Sequence, residues 1–348
     1  MNLISYTADS CIRNAYYHNS CSKCVETCPE NLFEIFQNKI KFEASLCTYC
    51  NACLGVCPTE AILTESFDPN RFSLEFQFIE DDKLDCKNMT QCLSGFDTNH
   101  FSTMILNRDS LKCDLSLCSE CKIGNLENSI RDRISDTNIF LENLESSKRV
   151  EIIEEKVEKK SGKRDLFNKI LGKATDKILI PDSEKVRIEK LLFKDRNIKR
   201  MLPTKQRVLI EILRNSPEFE KVEKITSLDS LVNSKDFDKK CTNCGDCIQF
   251  CPTEALFYSS DMLSIYVSAS KCIGCEICHD ICKVDAILKS EEIDILDFLR
   301  PKHLISFTME TCTECKTPFI KRADEVICER CIDFTTNFSS MLSLARDL

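Results

Sequence analysis

The stretch that decides the fold runs Cys241-Thr-Asn-Cys244-Gly-Asp-Cys247-Ile-Gln-Phe-Cys251-Pro252 and resumes as Cys272-Ile-Gly-Cys275-Glu-Ile-Cys278-His-Asp-Ile-Cys282. Each half has the spacing C-x2-C-x2-C-x3-C, which presents three sulfurs to one iron–sulfur cubane and sends the fourth to its neighbour. Soft thiolates suit iron in such a cluster, and two-residue gaps let one tight loop deliver three of them. The ligation is therefore expected to cross: Cys241, Cys244 and Cys247 with Cys282, and Cys272, Cys275 and Cys278 with Cys251. Gly245 and Gly274 stand inside the loops, where a left-handed backbone or close approach to sulfide is easiest without a Cβ. Zinc or disulfides are the alternatives, but zinc takes one set of four ligands rather than two interlocked sets.

This stretch resembles the bacterial two-cluster ferredoxins, and Cys251-Pro-Thr-Glu-Ala-Leu matches the ending of that family's motif. Cys282-Lys-Val-Asp-Ala-Ile lacks the proline, which weakens the turn expected there but removes no ligand.

The motif repeats near the start of the chain. Cys47-Thr-Tyr-Cys50-Asn-Ala-Cys53-Leu-Gly-Val-Cys57-Pro58 is followed by Thr-Glu-Ala-Ile, with Asn51 where the other copy has Gly245. Asparagine is the next most tolerant residue of a left-handed backbone. Residues 32–36 and 40–42 read as short strands joined at Asn38-Lys39. The weaker half is Cys21-Ser-Lys-Cys24-Val-Glu-Thr-Cys28-Pro29, whose usual first ligand falls on His18. His18 could bind iron, Cys11 could reach in from a longer loop, or the cluster could have three protein ligands. Cys11 is favoured, because thiolate is the better iron–sulfur ligand, and a similar C-x9-C-x2-C-x3-C-P opening occurs in multi-cluster ferredoxin-like proteins. By crossing, Cys47, Cys50 and Cys53 pair with Cys28, and Cys11, Cys21 and Cys24 with Cys57.

The totals agree with metal chemistry. Twenty-five cysteines in 348 residues arrive in clusters, and clustered cysteines in a reducing compartment mean metal more often than disulfides. The chain shows no apolar run of membrane-span length and no signal pattern at its start, so cytoplasm is the expected location. A net charge of −9 argues against nucleic acid and favours a partner with a basic patch. Seven dispersed glycines leave no room for a dinucleotide or Walker fingerprint.

Between the two copies, Phe72, Leu74, Phe76 and Phe78 alternate as one face of a strand. A helix is expected near residues 101–106, and Cys86, Cys92, Cys113, Cys118 and Cys121 follow no standard metal spacing. Cys86, Cys92, Cys118 and Cys121 are candidates for a further metal or cluster; buried reduced thiols are the alternative. Residues 125–235 lack cysteine and read as helix and linker. The charge run 149–164 reads as a solvated helix with Glu155 and Lys159 at i,i+4 spacing, a partner-docking helix being the alternative. Leu166, Phe167, Ile170 and Leu171, then Val208, Leu209, Ile212 and Leu213, read as packing stripes. Near the end, Cys312-Thr-Glu-Cys315 and Cys328-Glu-Arg-Cys331 suit one tetrahedral four-thiolate site, zinc before a rubredoxin-like iron, structural because no position stays open. The last segment, 332–348, reads as a terminal helix.

The expected architecture is α+β: a dicluster ferredoxin-like unit over 1–67, a small Cys-rich α/β module over 68–124, a helical charged segment over 125–235, a second ferredoxin-like unit over 236–292, and a zinc-knuckle tail over 293–348. This order looks like the multi-cluster proteins that accompany large bacterial oxidoreductases such as formate dehydrogenase. The resemblance implies a carrier of four 4Fe–4S clusters that passes single electrons to a protein partner, with no catalytic residue of its own. The alternatives are a redox enzyme with its site in the Cys86–Cys121 module, and an accessory or maturation factor for a larger oxidoreductase.

Overall fold

The structure, a computed structural model, describes residues 4–89, 91–154, 180–193, 200, 202–216, 219, 222–228, 231–321 and 325–346. It is a mixed assembly of helices and strands in which one antiparallel pattern occurs twice. In the first copy, strand Ile4–Tyr6 pairs with Ile62–Thr64, and Phe33–Phe36 forms a hairpin with Lys39–Phe42. Gln37 and Asn38 at the hairpin turn have φ of 48° and 60°, the backbone hand that lets a two-residue turn follow strand twist. In the second copy, Lys235–Phe237 pairs with Ile287–Lys289, and Leu256–Tyr258 with Ser264–Val267. Strand Lys302–Ser306 then adds a third strand to that hairpin. Each copy carries two short helices between its strand pairs: Lys23–Thr27 and Ala52–Val56, then Asp246–Gln249 and Ile277–Ile281.

The cores of the two copies are small, and cysteines take part in both. One gathers Ile4, Phe33, Ile40, Cys53, Leu54 and Ile62, and the other Cys247, Leu256, Val267, Cys278 and Ile287. Such cores bury little carbon, so these units depend on what their sulfurs hold.

Between them lies a three-stranded parallel sheet, Lys83–Leu84, Leu111–Asp114 and Val150–Ile153 in that order. Helices Thr98–Leu106 and Glu127–Asn143 connect its strands. The Phe72–Phe78 strand expected from alternation is instead helix Pro69–Glu75, continued by a 3-10 turn over Phe76–Phe78. Asp68 overrides the alternation: its side chain accepts from the N–H groups of Asn70 and Arg71, with Pro69 in the first turn. The helix near 101–106 is present as Thr98–Leu106, started by an Asp97–His100 capping box.

The segment 125–235 is not only helix and linker, since it contributes strands Val150–Ile153 and Lys224–Thr226. The charge run thus opens as a strand, because Val150, Ile152 and Ile153 are β-branched and pair beside Leu111–Asp114. Its remainder, with Glu155 and Lys159, and the apolar positions Leu166, Phe167, Ile170 and Leu171 lie outside the described residues. Helix Thr204–Arg214 buries Val208, Leu209, Ile212 and Leu213 in the same core as Phe101, Ile105, Ile130 and Phe140. The parallel-sheet unit and the helices after it therefore share one core. The terminal helix spans Glu329–Arg346.

Candidate metal centres

The local backbone around the cysteines repeats with little variation. The residue after the second cysteine of each C-x2-C-x2-C loop is left-handed: Asn51 (φ 62°), Gly245 (φ 82°) and Glu276 (φ 59°). Each of these residues caps a short helix that carries the third cysteine. Three residues beyond each fourth cysteine the backbone is left-handed again, at Asn31, Glu60, Glu254 and Asp285. That turn aims an N–H back at sulfur: Ala61 to Cys57, Ala255 to Cys251 and Ala286 to Cys282 at 3.2 Å, and Leu32 to Cys28 at 3.5 Å. Cys282, which lacks the proline, keeps the same turn and the same hydrogen bond. N–H donors on sulfur stabilise anionic thiolate and set the electronic character of a bound cluster.

The charges of the ferredoxin-type cysteines act on one another in sets. Cys24 is pushed up to about 12, first by burial and then by the like charges of Cys57, Cys21 and Cys11. Cys53 is pushed up by burial and by Cys50, Cys47 and Cys28. Cys247 is pushed up to about 12 by burial and by Cys241, Cys244 and Cys282. Cys275 is also pushed up to about 12, by burial and by Cys272 and Cys251, and Cys278 is pushed up by burial and by Cys272 and Cys275. Each set joins a loop of one half to a cysteine of the other. Cys11 stands among the first set, whereas the His18 ring stacks edge-on with Tyr16 and Tyr17.

A bound iron–sulfur cluster fits these groups on three grounds. Buried thiols crowded by one another ionise together only when cations neutralise them. A cavity of about 500 Å³ opens between Cys241, Cys244, Cys247 and Cys282. Finally, Lys235 is 1 % exposed and its Nζ has no hydrogen-bond partner among the described residues, while its charge opposes the rise that burial imposes on Cys272, Cys275 and Cys278. An unpaired buried ammonium is costly, and an anionic cluster on those sulfurs supplies its counter-charge.

A family profile described as a 4Fe-4S dicluster domain matches residues 19–61, and another of the same description matches residues 234–283. A ferredoxin of Methanothermococcus thermolithotrophicus is 44% identical over 43 residues, covering 12% of this chain and 72% of the relative. The chain belongs to the dicluster 4Fe–4S ferredoxins. An uncharacterized ferredoxin of Methanocaldococcus jannaschii is 44% identical over 46 residues, 13% of this chain and 74% of its own length. The protein named ferredoxin 7Fe of Hydrogenibacillus schlegelii is 32% identical over 56 residues, 16% of this chain and 72% of its own length. No solved structure matches the chain.

The two ferredoxin units touch. Asn19, 2 % exposed, accepts from the Cys21 N–H at 3.1 Å and donates to the Cys275 carbonyl at 3.3 Å. Tyr16 meets Phe250 edge-on at 5.6 Å. Helix Thr204–Arg214 joins the units a second time. Its first N–H groups, of Thr204 and Lys205, donate to the Glu60 carboxylate at 2.9 and 3.0 Å. Lys205 Nζ donates to the Cys57 carbonyl at 2.7 Å, and Gln206 donates to the Ser270 carbonyl at 3.1 Å. Glu60 thus stands at a helix N-terminus, where its charge suits the dipole. Sequence reading missed Asn19, Glu60 and Lys235. Only Glu60 carried a signal, as part of the repeated Cys-Pro-Thr-Glu-Ala.

In the tail of the chain, the sulfurs of Cys312, Cys315, Cys328 and Cys331 all lie within 4.8 Å of one another. Cys312 and Cys331 are 3.9 Å apart, and Cys315 and Cys328 are 3.6 Å apart, against about 3.8 Å for tetrahedral thiolates on one zinc ion. The Cys328 N–H and then those of Cys315 and Glu314 bring Cys312 down to about 6. Phe319, Ile320, Glu325 and Glu329 of the same tail line the cavity beside Cys241 and Cys244. No helix among the described residues is long and apolar enough to cross a membrane.

Proposed function

We propose that the protein is a cytoplasmic electron carrier that binds four 4Fe–4S clusters as one continuous series and exchanges electrons with a larger oxidoreductase. The ligands are Cys28, Cys47, Cys50 and Cys53; then Cys11, Cys21, Cys24 and Cys57; then Cys251, Cys272, Cys275 and Cys278; then Cys241, Cys244, Cys247 and Cys282. A bound 4Fe–4S cluster supplies reversible one-electron oxidation and reduction. The residues hold the sulfurs, donate N–H groups to them and keep water from the inner pair. The observation that carries the reading is Asn19, whose amide bridges the Cys21 loop to the Cys275 loop and so sets the inner groups of the two units against each other. In this reading the domain division 1–67, 68–124, 125–235, 236–292 and 293–348 separates two cluster units from the core that spaces them and from the tail. The tail holds zinc on Cys312, Cys315, Cys328 and Cys331, with no open position and a structural role.

The test is anaerobic purification with iron, sulfide and zinc analysis, followed by redox-titrated EPR. At least about sixteen irons and one zinc per chain are expected. Iron for only two clusters, or a reconstituted protein that takes up no electrons, overturns the proposal.

A further inference from the structure

The parallel-sheet unit carries five cysteines to which the proposed function gives no role. Cys113 lies fully buried on the central strand, Leu111–Asp114, and burial alone pushes its thiol up. The other four come from two chain segments at one edge. Cys86 follows strand Lys83–Leu84, and Cys118 and Cys121 follow Leu111–Asp114. These strands are parallel, so both segments leave the sheet at its carboxyl edge, where α/β folds build ligand sites. Cys92 lies six residues beyond Cys86 and opens a 3-10 turn over Leu93–Gly95.

We infer that Cys86, Cys92, Cys118 and Cys121 hold a fifth iron–sulfur cluster, placed beside the group formed by Cys28, Cys47, Cys50 and Cys53. The spread of the sulfurs speaks against a single ion. No three of them lie within 4.8 Å of one another, whereas the four tail sulfurs do. A cluster holds its thiolates wider apart, because they sit on different irons. Their charges nonetheless reach one another: burial and then Cys92, Asp85 and Cys121 push Cys86 up, and burial and then Glu127, Cys92, Cys86 and Cys121 push Cys118 up. The same combination marks the four ferredoxin groups. Cys92 and Cys118 also pack against the central apolar core, which supplies a dry wall.

The placement beside Cys50 rests on direct contacts. Ser94 Oγ lies 3.2 Å from both the Cys50 carbonyl and Cys92 Sγ. Asn51 donates to Gln91. Buried Arg133 clamps the loop, donating to the Ser94 and Phe96 carbonyls at 2.7 and 2.6 Å. A sulfur group held so near the outer end of the ferredoxin series extends that series by one member.

The test compares the full chain, reconstituted anaerobically with iron and sulfide, with Cys118→Ser/Cys121→Ser and with Cys113→Ala. The double variant is expected to lose about one fifth of its iron if the core is 4Fe–4S, or about one ninth if it is 2Fe–2S. Zinc should stay, Cys113→Ala should keep all its iron, and the spin-coupling broadening of the reduced EPR signal should narrow in the double variant only. Unchanged iron in the double variant overturns the inference, as does loss of zinc in place of iron. If the double variant does not fold, Cys121→Ser alone decides, since Cys121 is exposed: an unchanged spectrum and iron content overturn the inference. The inference stands apart from the four-cluster reading. A wild type holding only one centre's iron, all of it lost in the double variant, would support the fifth site and overturn the other four.

Discussion

Replacing Lys235 by methionine should lower the reduction potential of one cluster and leave the others in place. Reduction adds negative charge to sulfurs that already act on one another, and a fixed cation beside them favours the reduced form. Lys235 is 1 % exposed, so water screens its charge poorly. At an effective dielectric of about 20 and roughly 6 Å, one unit charge contributes about 2–3 kcal/mol. For a one-electron couple this is on the order of 100 mV. Methionine is close to lysine in length and apolar, so it fills the same space without the charge. Lys235→Arg keeps the charge and serves as the control. Redox-titrated EPR on the anaerobic protein should show a single titration component moving to lower potential in Lys235→Met, and staying near its place in Lys235→Arg. Curves that superimpose on the wild type, or a move to higher potential, would refute the reasoning.

Gly55 sits on helix Ala52–Val56 against the Ser94 and Phe96 carbonyls and Arg133, with no room for a Cβ. Gly55→Ala should destabilise the junction between the first ferredoxin unit and the central sheet by about 1–3 kcal/mol, read by denaturant unfolding of the holoprotein. Asp97 is buried, and burial would push its carboxyl up. The charges of Lys205, 2.5 Å away, and of His100 outweigh that and hold it well below the usual carboxylate range. A depressed folded value stabilises the fold above the unfolded value of about 4 and is lost as pH falls below it. Asp97→Asn should therefore cost about 3–5 kcal/mol at neutral pH, with the gap to wild type closing in acid; a pH-independent difference would sink the assignment. Because tail residues line the cavity beside Cys241 and Cys244, Cys315→Ser should speed bleaching of the visible cluster absorbance in air several-fold. Equal bleaching rates would mean that the tail does not cover that site.

The sequence alone determined the ferredoxin motif, because its chemistry is written in spacing. C-x2-C-x2-C-x3-C forces three sulfurs onto one loop, and the repeated turn after each fourth cysteine follows from local backbone preferences. The local signals that failed were those a neighbour could override. Phe72 to Phe78 alternate like a strand, yet Asp68 and Pro69 start a helix there. Val150 to Ile153 carry charged flanks like a helix, yet become the third strand of a sheet whose first strand lies far back in the chain.

Tertiary structure decided what no spacing encodes. Glu60 and Glu254 occupy the same place in the same motif, but Glu60 is buried as the N-terminal partner of helix Thr204–Arg214, while Glu254 is exposed. Asn19 reads as an ordinary loop residue until the second unit folds against it 256 residues later. Cys86 and Cys92, then Cys118 and Cys121, follow no standard spacing because they come after two separate strands that parallel pairing sets side by side. A loop motif is legible since the chain itself holds its ligands together, whereas a site assembled across a sheet exists only once the core has formed.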